Sequence, residues 1–270
     1  MKSIEFLKEN GIDVDKSLDL FGDIAMYNDT IGEFILGASS KLPKLEEYKN
    51  NKDMNNYAVY AHSLKSDAKY FGFTKLAELA EEQEQRSKAG DVYYIYDTYD
   101  ALITEVNRLI LLIKDYLGEA PSDRSTEKQE TKEVIPNTEV FSAPTILVAD
   151  DSNIVRNFCI RIFNDSYNVV AAKDGEEAEN IINANQNNDN LKAILLDLNM
   201  PKKDGFAVLD FMQENALFET MPVSIISGDS SKETIEKAFT YPIVDMVKKP
   251  FNDTDIKRVV EKTIYFKEMN

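Results

Sequence analysis

Six side chains in this 270-residue chain have the types and positions to do chemistry together. Asp150, Asp151 and Asp197 are carboxylates, Ser227 is a hydroxyl and Lys249 is an ammonium. Each stands at the end of a short apolar run or just beyond one. Three carboxylates brought together repel unless a cation compensates them. Oxygen ligands of this kind suit Mg2+, which often bridges protein carboxylates to phosphate oxygens. The hydroxyl and the ammonium supply donors for a phosphoryl group on the remaining side. The sixth residue is His62, the only histidine in the chain. Imidazole changes charge near neutral pH, and its neutral form is a good nucleophile. One acid after a strand is commonly a solvated loop residue, and one histidine on a helix is commonly incidental. The set is what points to chemistry.

Elements in two different styles must position these residues. From residue 144 the apolar runs are short and buried in character: Thr145-Ile146-Leu147-Val148-Ala149, Val169-Val170-Ala171-Ala172, Ala193-Ile194-Leu195-Leu196, Val223-Ser224-Ile225-Ile226-Ser227 and Val244-Asp245-Met246-Val247. Helical stretches alternate with them, over about 152–163, 175–185, 206–215, a run through Ile235 and Ala238, and 253–266. Five apolar strands alternating with five helices predict a doubly wound parallel sheet covered on both faces. Such a sheet gathers chemistry at the carboxyl ends of its strands. The five residues fall at those ends.

Residues 1–118 read as helix after helix. Asp13-Val14-Asp15 opens a short helix, and Asn28-Asp29-Thr30 lies near the start of a longer run to about Tyr48 that Pro43 interrupts. A helix from about Met54 to Phe71 is stopped by Gly72, Thr74 caps another to about Lys88, and the last runs from about Val92 to Leu117. The pattern predicts an antiparallel helical bundle with short connections. On the His62 helix, Met54, Tyr57, Ala58, Ala61, Leu64, Ala68 and Phe71 form the core stripe. His62, Lys65, Ser66 and Lys69 form a second stripe roughly 90° around the helix by the 3.6-residue period, so His62 is expected to be at least partly exposed. Lys65 lies one turn along, able to stabilise a phosphoryl group on the imidazole, and Ser66 is small enough not to block a docking partner. Asp67 points away from that stripe. Between the halves, residues 119–143 are polar and read as a flexible linker, with a root-mean-square span of roughly 25–30 Å if coil-like.

Composition narrows the function classes. The net charge of −17 divides as −7 over residues 1–118, −3 over 119–143 and −7 over 144–270. No region has a basic excess, which disfavours nucleic-acid binding and docking on anionic lipid. No apolar run is long enough to span a membrane, and the charged N-terminus does not read as a secretory signal. A single cysteine, Cys159, fits a reducing cytosol, so a cytoplasmic location is expected.

With these residues in view, residues 144–270 resemble a response-regulator receiver domain over its full length. The matching pieces are Ile146-Leu147-Val148-Ala149-Asp150-Asp151, Leu195-Leu196-Asp197-Leu198-Asn199-Met200-Pro201-Lys202-Lys203-Asp204-Gly205, Ser227-Gly228 and Lys248-Lys249-Pro250-Phe251. The resemblance implies a flavodoxin-like sheet of order 2-1-3-4-5 and an acyl phosphate on Asp197. It also implies Mg2+ held by Asp151, Asp197 and the backbone carbonyl of Asn199, with Asp150 nearby. Ser227 and Lys249 would contact the phosphoryl oxygens, and the Lys249-Pro250 bond would be cis. One departure is Met246, where such domains usually carry the aromatic residue of their conformational switch. Residues 1–118 resemble a histidine phosphotransfer domain, through His62-Ser63-Leu64-Lys65-Ser66-Asp67-Ala68 with Gly72 closing the helix. The resemblance implies that His62 carries a phosphoryl group. Ser66 replaces the usual Gly there, and Asp67 the usual Ser or Ala.

The two resemblances imply a two-component phosphorelay protein that exchanges phosphoryl groups between His62 and Asp197, within the chain or with partners. Those partners would be a sensor histidine kinase or other receiver or histidine phosphotransfer domains. It would be a carrier that catalyses its own phosphorylation rather than an ATP-using kinase, since no Gly-rich ATP-binding segment is present. Alternatives are a binding or scaffold module switched by phosphorylation, or the detached tail of a hybrid histidine kinase system.

Overall fold

A computed structural model describes residues 1–118, 140–229 and 231–269. The chain divides into two compact units between residues 133 and 134. The first unit contains α1 (Ile4–Glu9), α2 (Val14–Phe21), α3 (Ile24–Ile31), α4 (Glu33–Asn51), α5 (Met54–Tyr70), α6 (Thr74–Lys88) and α7 (Val92–Leu117). Aspartate N-caps begin four of them. Asp13, Asp23, Asp53 and Asp91 accept from the backbone N–H groups of Lys16, Met26, Asn56 and Tyr94, satisfying donors that a helix start leaves free.

The run expected from Asn28 to Tyr48 is two helices. Asp23, rather than Asn28 or Asp29, caps the first, and the break falls at Gly32. Pro43 does not end α4, which continues to Asn51. Packing of α4 on α5 and α7 outweighs the hydrogen bond that proline removes. The core stripe on α5 is buried as its spacing predicts. Around its C-terminal end an aromatic cluster forms: Phe21 stacks on Phe71 at 5.5 Å, and Phe34 meets Phe73 edge-on at 4.9 Å. Gly72 closes the α5–α6 turn at φ +70°, and a Cβ there would lie 2.1 Å from the Asp13 carbonyl oxygen. Only glycine fits both the left-handed backbone and that approach.

The second unit contains β1 (Thr145–Ala149), α8 (Asn153–Phe163), β2 (Asn168–Ala172), α9 (Gly175–Ala184), β3 (Leu191–Asp197), α10 (Gly205–Glu214), β4 (Val223–Ser227), α11 (Lys232–Ala238), β5 (Met246–Lys248) and α12 (Asp253–Met269). All pairings are parallel and the order is β2-β1-β3-β4-β5. Every residue of β1 and β4 is buried, as strands covered on both faces require. β5 begins two residues later than its apolar run and reaches Lys248, directly before Lys249.

Residues 119–139 of the expected linker lie outside the described residues. Phe141, within the stretch read as linker, is buried in the core of the second unit. Its N–H donates to Asn185 Oδ1 at 3.1 Å, and its carbonyl accepts from the amides of Asn188 and Asn190.

Gly205 fixes the loop that follows Asp197. Its N–H donates to the Leu198 carbonyl, and an added Cβ would lie 2.2 Å from the Asp197 carbonyl oxygen and 2.7 Å from Leu198 Cα. Both obstacles are backbone, so they yield only if the loop moves. Gly205→Ala is expected to destabilise the second unit by about 1–3 kcal/mol and to displace Asp197. A urea midpoint unchanged from wild type would refute this.

Candidate functional site

The sheet order places β1 beside β3 and β3 beside β4, so three strand ends converge on one edge. Asp150 and Asp151 follow β1 and Asp197 is the last residue of β3. One oxygen from each lies within 4.8 Å of the others. Asp150 and Asp197 are fully buried, while Asp151 is partly exposed. Lys249 spans the first pair, its Nζ 2.6 Å from Asp150 Oδ2 and 2.6 Å from Asp197 Oδ2. Backbone donors hold the other oxygens: Ser152 N–H donates to Asp150 Oδ1 at 2.9 Å, and Asn199 N–H to Asp197 Oδ1 at 3.1 Å. Ser227 ends β4 fully buried, its Oγ accepting from the Asp229 N–H.

Electrostatics follow from this packing. Burial pushes the Asp150 carboxyl up to about 7, with the charges of Asp197 and Asp151 adding to the effect and Lys249 opposing it. Burial works against the charge of Lys249, yet its carboxylates more than compensate, so its pKa is raised and it stays an ammonium. Among the described residues, one buried cation, Lys249, thus faces the three carboxyl groups. This hard oxygen set, still short of positive charge, fits a divalent ion such as Mg2+.

In the first unit His62 sits on α5 and is 2% exposed. Its Nδ1 lies 2.9 Å from Glu84 Oε1 on α6. A carboxylate only accepts, so in the neutral imidazole the proton sits on Nδ1 and the lone pair on Nε2. Nε2 is buried and, among the described residues, without a hydrogen-bond partner. Glu84 is also met by Lys65 Nζ at 2.5 Å on Oε2 and by Lys88 Nζ at 2.7 Å on Oε1. Burial opposes the charge of Glu84, but His62 and Lys65 hold its carboxyl well below the usual carboxylate range.

Family comparisons match both halves. The response regulator receiver domain family model matches residues 146–261, and the Hpt domain family model matches residues 29–110. The chain joins an Hpt domain to a response regulator receiver domain. Relatives of the receiver domain include the two-component response regulator ORR3 of Oryza sativa subsp. indica, 27% identical over 45% of this chain and 91% of that protein. A chemotaxis protein CheY homolog of Campylobacter jejuni is 25% identical over 44% of this chain and 91% of its own length. Among solved structures, the receiver domain of the Francisella response regulator 1452 is 29% identical, covering 47% of this chain and 99% of that one, at a TM-score of 0.40.

In the receiver domain all five expected residues meet at one edge. Lys249 was expected on phosphoryl oxygens; the structure places its ammonium between Asp150 and Asp197. The Lys249-Pro250 bond is cis. Met246 is half-buried and packs on the core with Phe206 and Tyr241.

The Hpt domain corrects the expectation of an exposed His62. Lys65 and Ser66 are likewise buried, at 6% exposure each. The helix wheel assumed one covered face, but α5 packs against both α4 and α6. The small residues Ala77, Ala80 and Ser87 are buried on α6 along with Glu84, and their size lets the two helices approach closely. Lys65 is committed to Glu84. Asp67 does lie away from His62, buried against Lys41 of α4 in an ion pair. Sequence reasoning missed Glu84; its one signal is an acid in register with Ala77, Ala80 and Ser87.

Glu84 makes the stability of the Hpt domain depend on pH. Its carboxyl is depressed from an ordinary value of 4.5. A depressed carboxylate contributes stability that is present above the unfolded value and lost as pH falls through the folded one. Glu84→Gln is therefore expected to be less stable than wild type at pH 6, with the gap closing below about pH 4.5. Urea midpoints across that range measure it, and a gap constant with pH would contradict the assignment.

Proposed function

We propose that the chain is a phosphorelay protein in which His62 and Asp197 exchange phosphoryl groups with partner histidine kinases, receivers or Hpt domains, or with each other. The observation that carries this reading is the Lys249-bridged carboxylate cluster, on the same chain as an imidazole whose free nitrogen is Nε2. Asp150, Asp151, Asp197 and the backbone carbonyl of Asn199 would hold Mg2+, which supplies charge compensation for the phosphoryl oxygens.

An oxygen of the Asp197 carboxylate attacks the phosphorus of a phosphohistidine. The O–P bond forms as the N–P bond breaks, and the electron pair returns to the imidazole nitrogen. Lys249 and Ser227 donate to the phosphoryl oxygens, where positioning and charge supply nearly all of the catalysis. At His62 the proton stays on Nδ1, facing Glu84; the ring is positive while it carries the phosphoryl group, a charge the Glu84 carboxylate stabilises, and neutral once the electron pair has returned. The protein acts as a carrier that catalyses its own phosphorylation. Its lone, buried Cys159 suits a reducing, cytoplasmic setting. Among the described residues no helix is long and apolar enough to cross a membrane.

Mass spectrometry after incubation with a small acyl phosphate and Mg2+, with and without a phosphorylated partner kinase, tests the reading. Modification is expected on Asp197 with the acyl phosphate and on His62 with the partner. A second reading, a binding module switched only at Asp197, draws support from the burial of His62. It replaces the first if Asp197 is modified and His62 never is.

A further inference from the structure

The carboxylate of Glu84 is shared unequally. Among the described residues Oε2 is met by Lys65, whereas Oε1 serves both His62 Nδ1, at 2.9 Å, and Lys88 Nζ, at 2.7 Å. The side chains of His62, Glu84 and Lys65 are 2%, 5% and 8% exposed, and that of Lys88 is 51% exposed. Lys88 is thus the solvent-reachable end of a buried cluster. An i,i+4 pair at a helix C-terminus is ordinarily a minor stabilising contact. This one differs because its acceptor oxygen is buried and is the oxygen that holds the histidine.

We propose that Lys88 is a positioning residue that sets the reactivity of His62 by competing with the imidazole for Oε1 of Glu84. The inference rests on the reading of His62 as a phosphoryl acceptor and names a regulator of that site. A lysine on Oε1 draws charge density away from the Nδ1 proton. Removing it leaves the oxygen to the imidazole and favours the imidazolium form. A phosphoryl group on Nε2 also leaves positive charge on the ring, so the same change stabilises the phosphorylated state. Fields within a buried cluster are screened less than on the surface, which makes the competition effective.

Other charged groups near the cluster make pairs of their own. On α5 and α6, Glu81 lies 3.9 Å from Lys65 and 3.7 Å from Lys69. On the α4 side Lys41 and Asp67 pair with each other. On the α7 side Glu105 pairs with Lys75 and Arg108. None of these pairs includes Oε1 of Glu84.

The chain has a single histidine, so its imidazole resonances are unique in the full-length protein. Their pH titration by NMR is compared in wild type, Lys88→Met, Lys88→Gln, Lys88→Arg and Lys69→Met. Both neutral variants at 88 are expected to raise the His62 protonation constant roughly threefold or more, about half a pH unit. Lys88→Arg restores the wild-type midpoint, and Lys69→Met leaves it in place. The pH profile of phosphoryl acceptance by His62 moves with the titration. An unchanged midpoint in both neutral variants, with helical content retained, overturns the proposal. An equal shift in Lys69→Met also overturns it, because a general field would then suffice. The titration reads the cluster whether or not His62 accepts phosphate. A failure of phosphotransfer in every variant would sink the phosphorelay reading and not this one.

Discussion

Lys249→Ala is expected to slow acyl-phosphate formation at Asp197 by roughly a hundredfold or more and to destabilise the receiver domain at neutral pH. The ammonium lies 2.6 Å from a carboxylate oxygen on each of Asp150 and Asp197, and all three groups are buried. Removing it leaves two carboxyl groups facing each other with no internal cation. Breaking one partner out of a buried ion pair typically costs about 3–5 kcal/mol, because the remaining charge is stranded. The expected kinetic effect has a separate cause, the loss of the donor assigned above to the transferring phosphoryl group. Added Mg2+ should therefore recover part of the stability and little of the rate. Urea unfolding with and without Mg2+, together with labelling by a small acyl phosphate, measures both. A rate within threefold of wild type would remove Lys249 from the mechanism.

His62→Gln is expected to reduce phosphoryl uptake by the Hpt domain to background and to leave direct labelling of Asp197 by a small acyl phosphate unchanged. Glutamine keeps an N–H able to donate to Glu84 but has no nucleophilic nitrogen. The variant should stay folded, since the Nδ1–Glu84 hydrogen bond, 2.9 Å long in the wild type, has a substitute donor. Loss of uptake then reports chemistry rather than collapse. The same variant decides the route of the relay. Labelling from a phosphorylated partner should reach Asp197 slowly or not at all if phosphate passes through His62. Equal rates in wild type and variant would show that the receiver domain is charged directly.

The receiver site was legible in the sequence because its geometry is fixed by topology. In a parallel sheet each apolar run ends at the same edge, so an aspartate, a serine or a lysine just after a run has one place to be. The exact pairing was not legible. The Lys248-Lys249-Pro250-Phe251 match put Lys249 at the site, but only the fold shows it bridging Asp150 as well as Asp197. The helical site was read less well. Periodicity found the core stripe of α5, but it measures one face at a time, and α5 is enclosed from two sides. That is why His62, Lys65 and Ser66 were expected near solvent and are buried. Glu84 escaped notice within Glu81-Glu82-Gln83-Glu84-Gln85, where acids are common and most face water. Phe141 looked like linker because the stretch leading up to it is rich in polar residues; its ring is buried in the core.

The two sites also differ in the chain distance each must close. His62 and Glu84 are 22 residues apart, on consecutive helices, whereas Lys249 and Asp197 are 52 apart and Asp150 lies further still. Contacts between distant segments carry a larger loop-closure penalty and form more slowly. During synthesis the chain emerges from its N-terminus and domains fold as units. A nascent chain that has completed α7 can close its helical bundle and hold its imidazole against a carboxylate. The carboxylate pocket must wait for β5 to deliver Lys249.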